Sequence, residues 1–251
     1  MKQSTSWGAH AQWYDQYLRC QKDSYQTTVI LPNLLRILSL KKGDRVLDLA
    51  CGQGFFSESF TREGATVVGV DIAPELIELA RTQCSKAIAF HVAPAHKLTM
   101  IDDRSVDIVV IVLAIQNIDN ATEVIQECAR VLKPAGRLVV VMNHPCFRVP
   151  QKSDWGWDGK GNIQYRRVDG YLRDVQVPIA MHPGSDPTAS TIAFHRPLQW
   201  YAKAFAKNHF GITRLEEWIS NKKSQRGPRA AAEDKARKEF PLFLCIEGRL
   251  L

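Results

Sequence analysis

Asp48, Gly52, Gly54 and Ser57 stand close together in RVLDLACGQGFFSESF, residues 45–60, directly after a short apolar run. Glycines at the end of a strand let backbone approach a ligand that a side chain would exclude. The dinucleotide fingerprint G-x-G-x-x-G serves a pyrophosphate, and its third glycine is replaced here by Ser57. An aspartate just before such a loop opposes a pyrophosphate and suits a ligand with an ammonium group. The alternative is a buried acid that caps its own loop. Asp71 ends the next apolar run, where a carboxylate can accept both hydroxyls of a ribose. Taken alone it could equally cap the turn before Pro74. A cationic amino-acid head at Asp48 and a ribose at Asp71 describe S-adenosylmethionine better than they describe NAD.

A second set of residues could handle an acceptor. His144 is followed by Pro145, which holds its backbone extended, and an imidazole with an ordinary pKa near 6.5 suits a general base at neutral pH. The plainer role is a hydrogen bond that shapes the loop. His195 and Arg196 form a basic pair before Pro197, able to meet an anionic group or to tie one segment to the next. These two histidines are the catalytic candidates. Gln116 and Asn117 follow another apolar run and could touch ligand or close their loop. Phe147, Trp155, Trp157 and Tyr171 suggest a partly aromatic pocket wall, with Arg148 and Arg196 able to meet an acidic group, although most aromatics in such a segment are packing residues.

These residues need elements to hold them. Short apolar runs at 45–50, 66–71, 87–92, 105–114 and 136–143 alternate with helical spacing at 54–63, 74–84 and 121–134, which argues for a parallel sheet with helices on both faces. Pro74 suits a first helical turn. The run SVDIVVIVLA is apolar on both faces, as a central parallel strand is. Residues 1–44 read as an N-terminal helical lid anchored by Trp13, Tyr14, Tyr17 and Leu18, with Tyr25 covering the ligand. The core spans 45–146. Paired aromatics, glycines and prolines in 147–195 predict an inserted substrate cap of short strands and turns. Residues 196–251 complete the sheet with a helix at 197–210 and strands at 212–219 and 240–251, separated by a basic loop and surface helix.

The chain has 251 residues and is 45% hydrophobic, enough for a large core. Six scattered cysteines lie at no metal-ligand spacing, so free thiols and no metal are expected. No apolar run approaches a membrane span, and the start of the chain has no apolar signal segment, so a cytoplasmic protein is expected. The formal charge of +7 is uneven: residues 1–146 carry 15 basic and 15 acidic side chains, residues 147–251 carry 18 and 11.

The segments VLDLACGQG, VVGVDIAPELIELA, DDRSVDIVVIVLAIQNI and ECARVLKPAGRLVVV together resemble the class I S-adenosylmethionine-dependent methyltransferases, especially small bacterial members of the ubiquinone/menaquinone-methyltransferase-like group. The resemblance implies a Rossmann-like seven-stranded sheet, mostly parallel, with the last strand antiparallel between the fifth and sixth. It places Ala50, Gly52 and Gly54 beneath the methionine part of the cofactor, Asp48 at its amino group, and Asp71 with Ile72 at the ribose and adenine. Leu113, the backbone of Ala95 and His96 complete the cofactor set. Pro94 stands where the family often has an acid that accepts from the adenine amino group, and Ala135 stands where a turn glycine is frequent.

The implied function is methyl transfer to a small molecule. RNA or protein methylation is the main rival because KKSQRGPRAAAEDKARK is basic, but its interspersed acids and the absence of an RNA-binding module make nucleic acid an unlikely partner. The segment AIQNIDN differs from the Asn/Asp-Pro-Pro-aromatic motif of nucleobase amino methylation. A non-catalytic S-adenosylmethionine-binding protein is the second alternative, and an NAD-dependent oxidoreductase a distant third. Monomer and homodimer stay equally open.

Overall fold

A computed structural model describes residues 7–8, 23–182 and 186–251; the expected anchors Trp13, Tyr14, Tyr17 and Leu18 lie outside them. A π-helical turn, Gln26–Ile30, runs into α1 (Leu31–Leu38), whose Leu34, Ile37 and Leu38 are buried. Five parallel strands follow: β1 (Arg45–Leu49), β2 (Thr66–Asp71), β3 (Ala89–Val92), β4 (Val106–Val112) and β5 (Leu132–Asn143). They alternate with α2 (Phe55–Arg62), α3 (Pro74–Gln83) and α4 (Ala121–Val131). Pro74 begins α3, where its missing N–H costs no helical bond.

An insertion of two antiparallel hairpins leaves the main sheet: β6 (Ser153–Asp158) with β7 (Ile163–Val168), and β8 (Val175–His182) with β9 (Asp186–His195). The chain returns through α5 (Leu198–Lys207), β10 (Phe210–Trp218), α6 (Ala230–Glu239) and β11 (Phe243–Leu250). The seven-stranded sheet has the order β10-β11-β5-β4-β1-β2-β3, with β11 antiparallel to both neighbours. This is the expected fold.

Period-two alternation assigns the strands' side chains. In β4, Val109 and Ile111 join the core under α4 and α5, whereas Ile108, Val110 and Val112 join the core under α1, α2 and α3. Both faces are covered, so the strand reads as one unbroken apolar run. Each buried aliphatic or aromatic side chain contributes roughly 1.5–3 kcal/mol.

One boundary differs from expectation. The apolar stripe predicts α4 to Pro134, but the helix ends at Val131 and β5 begins at Leu132. Proline disfavours a helical residue before it; Leu132 pairs with Val106, the chain turns through Ala135, at φ 60°, and pairing with β4 resumes in a shifted register at Arg137 and Ile108. The chain leaves β1 towards β2 on one side and leaves β4 towards β5 on the other. The carboxyl ends of β1 and β4 therefore flank a switch point, where open α/β sheets leave a crevice.

Candidate active site

A cavity of about 300 Å3 opens at that crevice. Its lining includes the expected Asp48, Ala50, Gly52, Asp71 and Ile72, and also Ala95, His96, Leu113 and Asn117. Two lining residues that are not glycine, Ala50 at φ 59° and Leu113 at φ 54°, are left-handed just past the ends of β1 and β4. Each such conformation costs on the order of 1 kcal/mol and persists where surrounding structure enforces it.

The two glycines have separate reasons. At Gly52, φ is +57° and an added Cβ would meet nothing within 4 Å, so the missing side chain leaves the cavity floor open. At Gly54, φ is +84° and a Cβ would lie 2.8 Å from the Cys84 sulfur and 2.9 Å from the Phe90 ring, so this glycine lets the loop pack onto β3 and the end of α3. Gly54 supports the cavity from below without lining it.

Asp48 is 1% exposed and accepts a 2.5 Å hydrogen bond from Ser57 Oγ. Burial drives its pKa up to about 7, against the opposing Ser57 hydrogen bond and with repulsion from Asp71 adding to the rise. Asp71 accepts from the Gly52 N–H and the Ala73 N–H, each at 2.9 Å, so one carboxylate shapes the glycine loop and starts α3. Burial raises its pKa too, against the backbone donors. Each of its oxygens retains capacity for a second donor. Asp119 is the third aspartate of the lining, and no lysine or arginine lines the cavity among the described residues. Such a cavity favours a cation and hydroxyl donors and opposes a diphosphate. The open floor at Gly52 and the acids at Asp48 and Asp71 fit the amino-acid head and sugar of S-adenosylmethionine.

Several lining residues escape the sequence reading. Phe55 and Phe56 open α2 beside the glycine loop, and Ile118, Asp119 and Asn120 form the wall beyond β4. The Phe pair was legible from its place after Gly54. Trp7 also lines the cavity and packs beside Ala73 and Leu76, a long-range contact with no local signature.

Of the expected catalytic and acceptor-side residues, Asn117 lines the cavity and the others lie outside its lining. His144, 1% exposed, has its Nε2 2.6 Å from Glu217 Oε1, while its Nδ1 accepts from the Cys146 N–H at 3.2 Å. The second bond assigns the proton to Nε2, so neither nitrogen keeps a free lone pair. Burial lowers its pKa, against the pull of Glu217. His195 Nε2 donates to the Tyr171 carbonyl at 2.7 Å. Tyr171 itself accepts from the Cys146 thiol and the Leu198 N–H. Arg196 donates to the carbonyls of Ile115, Ile118 and Asp119, fixing the cavity wall from behind.

Phe147 and Trp155 both pack edge-on against Phe240, and Arg229 lies over the Trp157 ring. These contacts tie the first hairpin to the segment around α6. Tyr25 packs on Phe243 and shares a hydrogen bond with Ser220. Gln116 donates to the Leu113 carbonyl at 2.7 Å, and its buried Oε1 has no partner. Asn117 donates to the Ile192 carbonyl, joining the cavity wall to β9.

Residues 47–140 match the model of the methyltransferase domain. The chain is 33% identical over 168 residues to a demethylmenaquinone methyltransferase of Tropheryma whipplei, covering 66% of this chain and 64% of that protein's length. It is 38% identical over 99 residues to a ubiquinone biosynthesis O-methyltransferase of Xanthomonas oryzae pv. oryzae, covering 38% of this chain and 41% of that one. Among solved structures, an S-adenosylmethionine-dependent methyltransferase from Mesorhizobium loti has a TM-score of 0.68 at 25% identity, over 87% of this chain and 96% of that one. A Haloferax volcanii methyltransferase solved with the Trm112 activator shares the fold, at TM-score 0.67 and 19% identity, over 97% of this chain and 96% of that one.

The fold is that of the class I S-adenosylmethionine-dependent methyltransferases. Over the matched segments the chain is similar to ubiquinone and menaquinone biosynthesis methyltransferases.

Proposed function

We propose that this protein transfers a methyl group from S-adenosylmethionine to a small-molecule acceptor with an apolar or partly aromatic body. The observation that carries the reading is the cavity at the switch point, floored at Gly52, lined by three aspartates and, among the described residues, by no lysine or arginine. When bound, the cofactor supplies an electrophilic methyl on a sulfonium. In this reading Asp48 receives the cofactor's ammonium group, and Asp71 accepts from the ribose hydroxyls while it holds the Gly52 and Ala73 amides. Ile72, 54% exposed on the cavity edge, offers an apolar face to the adenine. Pro94 lacks a side-chain acceptor, which leaves the adenine edge to backbone near Ala95 and to His96.

The acceptor side begins at Leu113 and Asn117. Gln116 Oε1, buried and unpartnered, is suited to accept a hydrogen bond from the acceptor or from a water beside it, with Gln116 held by the Leu113 carbonyl. Methyl transfer is governed by alignment of donor and acceptor, and Arg196 contributes by fixing the carbonyls of the 115–119 wall. The insertion, the segment around Tyr25 and residues 113–120 are the parts that adapt the site to an acceptor.

The test is calorimetry with S-adenosylhomocysteine and, separately, NAD, followed by transfer of labelled methyl from S-adenosylmethionine to a panel of small phenols, acids, amines and thiols. Binding of S-adenosylhomocysteine, no uptake of NAD and label on one acceptor class are expected. NAD uptake without S-adenosylhomocysteine binding overturns the cofactor assignment. Binding with no acceptor labelled across the panel overturns the small-molecule transfer.

A further inference from the structure

Beside the acidic cavity lies a cluster of opposite sign. Arg148 is exposed; desolvation lowers its pKa, and repulsion from Arg166 adds to the effect against an opposing influence of Tyr25. Its hydrogen bond is to the neutral Asn143 Oδ1 at 2.9 Å, and among the described residues it makes no ion pair. That bond uses one of five guanidinium N–H donors. Arg166 is held behind it by the Phe147 carbonyl and Ser153 Oγ, and lies over the Trp155 ring. Lys222 sits over the Tyr25 ring at 4.7 Å, with the Tyr25 hydroxyl on Ser220. The carboxylate of Glu217, on the same end of the sheet, is committed to His144.

The cluster stands one small molecule away from the cofactor cavity. The Leu113 N–H donates to the Val141 carbonyl, and Asn143 is two residues further along β5. Strand spacing and rise place Asn143 about 8 Å from Leu113, which lines the cavity. Tyr25 and Leu113 also pack on the same core cluster. Arg148 is exposed, makes no ion pair among the described residues and keeps donors free, and its planar fork matches an oxyanion.

We infer that the acceptor carries an oxyanion, carboxylate or phosphoryl, received by Arg148 between Asn143 and Tyr25, with its body pointing towards Leu113. The inference rests on the methyl-transfer reading for the direction of the acceptor.

The test titrates benzoate, phenyl phosphate and uncharged benzamide into protein saturated with S-adenosylhomocysteine, for wild type, Arg148→Gln and Arg148→Lys. Wild type binds at least one anion more tightly than benzamide, and which one separates carboxylate from phosphoryl. Arg148→Gln weakens that binding about tenfold or more, Arg148→Lys restores part of it, and S-adenosylhomocysteine affinity is the same in all three. Equal binding of anions and benzamide by wild type, or undiminished anion binding by Arg148→Gln, overturns the subsite while leaving the cofactor assignment standing. Failure of wild type to take S-adenosylhomocysteine strikes the underlying reading instead.

Discussion

Replacing Asp48 with asparagine separates the needs of the fold from those of the ligand. A rise of the Asp48 pKa from an ordinary 3.8 to about 7 means that the folded, empty protein prefers the protonated acid. At about 1.4 kcal/mol per pH unit the difference is about 4 kcal/mol. The sign follows from proton counting. Below about pH 4 the acid is protonated folded or unfolded, and nothing is lost. Between about pH 4 and pH 7 the unfolded chain releases the proton while the folded protein keeps it, so stability falls as pH rises. Above about pH 7 the full cost is present in the empty protein.

Asparagine keeps the shape and never ionises. Asp48→Asn should therefore raise the stability of the empty protein near pH 8 by about 1–3 kcal/mol, the remainder going to an imperfect amide replacement for the Ser57 hydrogen bond. Near pH 5 the gain should be much smaller, because the native acid is then largely protonated in the folded state. The ligand reverses the preference. The ammonium group of S-adenosylhomocysteine compensates the ionised acid, so wild-type affinity should climb as pH rises towards 7, and Asp48→Asn should lose about tenfold or more. A ligand without the amino-acid head, 5′-methylthioadenosine, should show neither effect. Urea denaturation of the empty protein near pH 5 and pH 8, with calorimetry of both ligands, measures all of this. A variant whose stability keeps the wild-type dependence on pH, or that binds S-adenosylhomocysteine as tightly as wild type near pH 8, would refute the reasoning.

The two loop glycines should fail differently. Gly52→Ala should fold, losing about 1–2 kcal/mol to backbone strain, yet show weakened S-adenosylhomocysteine binding because its methyl enters the open floor. Gly54→Ala should lose more stability in denaturant titration, since its methyl meets Cys84 and Phe90 as well as a left-handed φ; equal stability of the two variants would contradict this division. His144→Gln should cost about 1–3 kcal/mol through the lost tie to Glu217 and leave S-adenosylhomocysteine affinity unchanged in calorimetry. A loss of turnover by about a hundredfold or more with stability intact would instead make His144 a base.

The half of the cavity at the ends of β1 and β2 was legible because its residues are local. Asp48, Gly52 and Gly54 share one strand-to-helix turn, and Asp71 ends the adjacent strand of a parallel pair, so spacing along the chain carries their juxtaposition. Period-two and helical patterns gave the strands and helices of the sheet for the same reason. The remainder depends on contacts across the fold. Trp7 reaches the cavity over α3, and His144 is paired with a residue 73 positions away. A histidine before proline advertises a fixed backbone but not the two partners that occupy its ring. The aromatics of the insertion suggested a pocket wall, yet Trp155, Trp157 and Phe147 are spent on Phe240, Arg166 and Arg229. Aromatic density alone does not distinguish a lining from a hairpin's own anchorage.

Strand order converts the uneven charge of the sequence into an axis. The first half of the chain supplies the ends of β1, β2 and β4, and with them Asp48, Asp71 and Asp119. The chain after β5 supplies Arg148, Arg166 and Lys222, and β5 lies on the far side of β4 from β1. A cationic donor and an anionic acceptor would thus be drawn to opposite ends of one crevice, and neither could enter the other's place without meeting like charge. Removing a positive charge at Arg148 should consequently disturb the acceptor end alone, whereas removing the negative charge at Asp48 should disturb the donor end alone. A strong coupling between the two substitutions in S-adenosylhomocysteine affinity would mean that the two charges share one ligand rather than dividing two.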